Sequence, residues 1–173
     1  GDLSHLNGFQ FNTNSPLFNV INIRPESSMP ARDKIRVSIP SFDLDAIKGI
    51  RETDYCRLRM LVMAFHFKEK WMQFIGHEDI DLKINEPFES KEWQFENLPA
   101  GCVIITTVSL HAFFFNTFGE RVELNNRDWS PAEIMLLTAL PPAPPTPNTV
   151  IRGFISRMSG IFRLMLIICL FCA

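Results

Sequence analysis

Tyr55-Cys56-Arg57-Leu58-Arg59-Met60-Leu61-Val62-Met63-Ala64-Phe65-His66-Phe67 is the stretch on which the fold turns. Cys56, Leu58 and Met60 alternate with Arg57 and Arg59, the two-residue period of a half-buried strand. Leu61, Met63, Phe65 and Phe67 then alternate in the opposite phase. A one-residue slip near Met60-Leu61, a β-bulge, would reconcile the two blocks. Leu58, Leu61, Val62 and Phe65 also fit the i, i+3, i+4, i+7 spacing of a helix. Two alternating blocks in succession favour the strand. Lys68-Glu69-Lys70 then reads as a turn, and Trp71 to Ile75 as the start of the next strand.

The same period recurs on both sides. Downstream, Ile80-Asp81-Leu82-Lys83-Ile84 and Trp93-Gln94-Phe95 alternate. Cys102 to Phe118 is a long run rich in Val, Ile and Thr, which marks a central strand covered on both faces. Asn116 to Glu120, with Gly119, has hairpin chemistry, and Arg121 to Leu124 alternates again. Ile134 to Leu140 reads as a closing strand. Ser130-Pro131-Ala132-Glu133 before it is also a helix-start signal, so a short helix stays open there. Upstream, Lys34 to Ile39 alternates strictly, Phe9 to Asn12 and Leu17 to Ile23 read as short strands, and Arg24 to Asp33 reads as a loop. Phe42 to Asp54 reads as a loop or short helix. Eight or nine short strands at spacings near ten residues predict a mainly β chain. The expected fold is an antiparallel β-sandwich, immunoglobulin-like or jelly-roll-like, over residues 1–140.

Beyond Leu140 the composition changes. Pro141-Pro142-Ala143-Pro144-Pro145-Thr146-Pro147 has polyproline II character, so 141–149 reads as a stiff linker, with a ligand for an aromatic groove as the other reading. Residues 150–173 form a hydrophobic tail. All 19 acidic residues and 14 of the 17 basic ones lie before Leu140, a net charge of -5, whereas Arg152, Arg157 and Arg163 give the last 33 residues +3. The uninterrupted apolar run from Leu164 is 10 residues long, and a membrane span needs about 20. Four readings stand: a poor anchor, an interfacial segment with membrane contact through 161–173, a helix docked on the body, or a non-native extension. Cys169-Leu170-Phe171-Cys172 is formally C-x-x-C, but its place inside an apolar run does not suit redox chemistry. Cys56 and Cys102 read as buried thiols acting as small hydrophobes. The N-terminus has no signal-peptide pattern, and the absent initiator Met points to an incomplete start, so the compartment stays open.

The 173 residues are 46% hydrophobic and 21% charged, with a net charge of -2. That excludes collagen-like, disulfide-rich and multi-pass membrane classes, and no basic excess exists for nucleic acid. There is no phosphate-binding loop, dinucleotide fingerprint, zinc-protease motif, nucleophile elbow or EF-hand loop. His5, His66, His77 and His111 share no metal-ligand spacing, and no cofactor is expected. His77-Glu78-Asp79 with Asp81 could hold a hard cation. Without an ordered glycine and a bidentate acid, it reads instead as a solvated acidic turn. Trp71, Trp93 and Trp129 are the candidate ligand-binding aromatics, and core packing is the competing reading.

Leu6-Asn7-Gly8-Phe9-Gln10-Phe11-Asn12, Val37-Ser38-Ile39-Pro40-Ser41-Phe42, the block from Tyr55, and Leu124-Asn125-Asn126 before a final apolar run resemble an uncharacterised protein family of gut Bacteroidota. The resemblance covers about residues 6–140. It implies a longer segment before this region and an end near Leu140, from which the linker and tail depart. It implies no activity and transfers no site residues. The expectation is a non-catalytic structural or protein-interaction domain, with an unknown protein or glycan as partner. A carbohydrate-binding module using the tryptophans is the first alternative, and a protein tethered to a membrane by its tail is the second.

Overall fold

The computed structural model describes residues 3–21, 23–43, 53–83 and 86–142. The expected loop or helix within Phe42–Asp54 falls mostly outside the described residues, as do nearly all of the Pro-rich linker and the whole hydrophobic tail with Cys169 and Cys172. Among the described residues, no helix is long and apolar enough to cross a membrane.

The strands are β1 (Glu26–Ala31), β2 (Lys34–Ile39), β3 (Tyr55–His66), β4 (Trp71–Lys83), β5 (Lys91–Phe95), β6 (Val103–Phe115), β7 (Arg121–Glu123) and β8 (Ala132–Ala139). They form two antiparallel sheets packed as a β-sandwich. The small sheet runs β1-β2-β5. The large one runs β4-β3-β6, and β6 then carries β7 along one part of its far edge and β8 along another. The main core lies between the sheets. Ile35, Val37 and Ile39 of β2 are completely or almost completely buried there. They meet Leu58, Met60 and Val62 of β3 and Ile104 and Leu110 of β6.

The slip expected near Met60-Leu61 does not exist. β3 pairs β6 in one unbroken register from Tyr55↔Phe113 to Phe65↔Val103. The change of phase has another cause: the sheet gains a second core on its outer face. Cys56, Leu58, Met60, Val62 and Ala64 point into the main core, while Leu61, Met63 and Phe65 join Ile105 and Ile134 on the opposite side. Leu6, Phe9 and Phe11 cover that second cluster. Each fully buried large apolar side chain contributes roughly 1.5–3 kcal/mol, which is what makes two-sided burial worth an apolar run. The register does shift elsewhere. Val62 pairs Gly76 and Met63 pairs Phe74, so the extra residue is Ile75 on β4.

Two further expectations are corrected, and the alternative left open before the closing strand is decided for the strand. Leu17 to Ile23 is not a strand but a helical turn, α1 (Leu17–Val20), opened by Pro16. Leu17 and Val20 are its buried residues, the Ile21 that follows is buried too, and the Ile21 amide donates to the Leu17 carbonyl at 2.9 Å. Arg24 to Asp33 is not all loop, because β1 forms on the edge of the small sheet. Edge strands tolerate Pro30, and the β1–β2 register breaks between Ser28 and Ala31. Ser130 to Glu133 opens no helix: Leu110 donates to the Pro131 carbonyl at 2.9 Å, and β8 begins at the next residue. The N-terminal segment then adds to the outer edge of β8. Gly8 donates to Ile134, Ile134 to Phe9, and Phe11 to Ala132, at 2.8–2.9 Å.

Candidate functional site

Cross-strand register builds the outer face of the large sheet from pairs that sequence spacing leaves far apart. Arg57 stands between Asp81 of β4 and His111 of β6, and Arg59 between Asp79 and Ser109. Arg57 donates to both oxygens of Asp81 at 2.7 and 3.1 Å, and Arg59 to both of Asp79 at 2.8 and 3.0 Å. Such forked pairs are the strong form of the carboxylate bond. The hydrogen bond from Arg59 holds the Asp79 carboxyl below its ordinary range, and the hydrogen bond that Arg57 donates to Asp81 raises the Arg57 guanidinium. His77 to Asp81 is therefore no acidic turn. It lies inside β4, and its outward carboxylates are held by arginines.

Next to this ladder, the His111 Nδ1 lies 2.7 Å from a Glu123 oxygen, and its Nε2 lies 3.1 Å from the Ser109 hydroxyl. The order hydroxyl, imidazole, carboxylate is that of a nucleophilic triad. Here Ser109 and His111 are both buried, on the central strand, so the hydroxyl meets no solvent. The array ties short β7 to β6 and satisfies polar groups that would otherwise be buried unpaired. Beyond it, Phe113 stacks on Tyr55 at 5.1 Å and lies under the Arg121 guanidinium at 4.8 Å.

The three tryptophans lie on separate elements, and among the described residues no ring contact joins any two of them. Trp93 sits on β5 opposite Val37 and packs against the main core. Trp129, in the loop before β8, also packs there, with its indole Nε1 buried and without a protein partner. Trp71 opens β4 and is 39% exposed, its ring stacked on His66 at 5.2 Å. A cleft of about 120 Å³ between Leu17, Ile23, Val108 and Glu133 is too small for a typical organic ligand of roughly 300 Å³ or more. A groove of about 260 Å³ beside Pro40 and Lys91 is more open but similarly small.

Four of the seven exposed large hydrophobic side chains among the described residues lie around the β3–β4 turn and the start of β4. Phe67, Trp71, Met72 and Phe74 are all exposed. Met72 lies opposite Phe65 and Phe74 opposite Met63, so these two extend the second core outward onto an open edge. Among the described residues, β4 pairs only with β3. The other edges among the described strands are managed: β1 by Pro30 and its irregular register, β5 by Lys91 and Glu92, β7 by its three-residue length with Arg121 and Glu123, and β8 by the segment Gly8–Phe11. Residues 71–75 carry no charge. Sequence periodicity located this strand but missed its surface. The signal was present as loss of alternation, with Trp71, Met72, Phe74 and Ile75 apolar on both faces. Ser109-x-His111 was legible as a same-face pair, but Glu123 joins it only through the β6–β7 register.

No protein-family model matches the chain, and no curated protein matches it.

Proposed function

We propose that this β-sandwich is a non-catalytic protein-interaction domain that recognises its partner along the first half of β4. One observation carries the reading: an edge strand with five uncharged residues, three of them large apolar side chains exposed to water, where the other described edge strands are short, charged, irregular or covered. Strand addition at such an edge uses main-chain hydrogen bonds for affinity and alternate side chains for selectivity. The test places a photo-crosslinking phenylalanine analogue at Phe74, with Glu92 of β5 as the control position. Crosslinks to a defined protein from position 74 and not from 92 support the reading. Equal labelling from both, or none from 74, removes it.

Glycan binding is the second reading, favoured by the exposed Trp71 ring backed by His66. Glycan-array binding that is lost in Trp71→Ala, with the melting temperature unchanged, would place it first. Binding unaffected by that substitution would end it.

A further inference from the structure

We infer that the partner which fits the β4 edge is a second copy of this chain, paired antiparallel, β4 to β4. This rests on the proposed interaction role of that edge, and it commits the role to one occupant.

The argument is the polarity of the strand. Lys68 and Lys70, with Glu69 between them, precede the uncharged stretch, and Glu78, Asp79 and Asp81 follow it, of which Asp79 and Asp81 are already held by Arg59 and Arg57. Antiparallel pairing of two identical edges lays the basic end of each along the acidic end of the other. Parallel pairing would set like charge on like. The bulge at Ile75 sharpens this. It exchanges the faces of β4, so that Met72 and Phe74 share the outer face with His77 and Asp79. A two-fold axis between Phe74 and Ile75 matches outer face to outer face. It sets Met72 against the partner's His77 and Trp71 against the partner's Glu78, with Lys70 beside the partner's Glu78 and Asp79. Lys70 and Glu78 have no ion-pair partner among the described residues, so both are free to bond across the axis. The uncharged residues 71–75 then meet in the centre. The contact is isologous and closes at two chains instead of growing into a fibre.

Sedimentation velocity of the full chain over a range of concentrations tests this, with Lys70→Glu, Glu78→Lys and the double variant beside it. Because an isologous contact repeats each charge pair, either single reversal should weaken the dimer about tenfold, and the double reversal should restore it. Phe74→Lys should leave a monomer that melts as before. A dimer indifferent to all these changes uses another face and overturns the proposal. A monomer at every concentration overturns it too. In that case, hydrogen exchange at the Trp71–Ile75 amides not bonded to β3 separates the two claims. Rapid exchange leaves the edge open for a different protein, and the interaction reading survives. Slow exchange in the monomer shows the edge already covered within the chain, and both fall.

Discussion

Asp79 accepts a forked bond from Arg59 and faces Arg57 at 3.4 Å, and its proton affinity is lowered as a result. A carboxyl whose folded-state pKa lies below its unfolded value stabilises the fold at neutral pH, and loses that contribution as pH falls through the acid range. Asp79→Asn should therefore cost about 0.5–1 kcal/mol at pH 7, the scale of a solvent-screened pair. The difference from the parent should fade as pH drops from about 4, where the unfolded carboxyl begins to bind protons. Urea titrations of both proteins across pH 2–7 would show it. Gly76 is a steric case. A Cβ there would stand 2.9 Å from two ring atoms of buried Phe95, closer than side chains tolerate. Gly76→Ala should destabilise by about 1–3 kcal/mol, and Phe95→Leu in the same chain should recover part of the loss. Chemical denaturation of the three variants measures both effects.

At the scale of the element, β3 is the informative case. Its alternation was legible and its strand state correct, yet the change of phase at Leu61 was misread because hydrophobic period alone does not say which face is covered. A bulge and a second core write the same pattern. Only the distant segment Leu6–Phe11, and Ile134 on β8, decide between them. The two explanations predict different partners for Leu61. Leu61→Ala should cost about 2–5 kcal/mol. Its effect should be coupled to that of Phe9→Ala, which covers the same cluster, and additive with that of Ile35→Val in the main core. Double-mutant cycles by thermal unfolding read this directly. The other misreadings have the same character. Leu17 to Ile21 is short and apolar, where strand and helical turn share composition, and Pro16 tips the balance. β1 contains Pro30 within the stretch that reads as a loop, and it forms because an edge strand need not donate on both sides. β2 needed no correction: strict alternation over six residues, stopped by Pro40, admits one structure. The candidate site was the least legible part. Trp71 was named for its chemistry, but the open edge around it is a property of the sheet order, which no local pattern encodes.

For the whole molecule, the sandwich encloses two thiols far apart in the chain. Cys56 and Cys102 are both buried and unbridged, and burial pushes the Cys56 thiol up to about 11 and Cys102 upward as well. A thiol held protonated is a poor nucleophile. Iodoacetamide at pH 8 should leave both unmodified in the native protein and label both in urea, as peptide mapping would show. Labelling of Cys56 without denaturant would mean that the sheets part readily. The two-sided large sheet has a last consequence, in time instead of space. Its second core is roofed by the segment Gly8–Phe11, whose ladder partner β8 comes 123 residues later. During synthesis, Leu61, Met63 and Phe65 leave the ribosome long before that roof has anything to pair with. Closing so long a loop carries a large entropic cost. The β3–β4 hairpin, closed by a short turn, should thus form before that roof, with its outer face still bare until β8 and the segment Gly8–Phe11 come together.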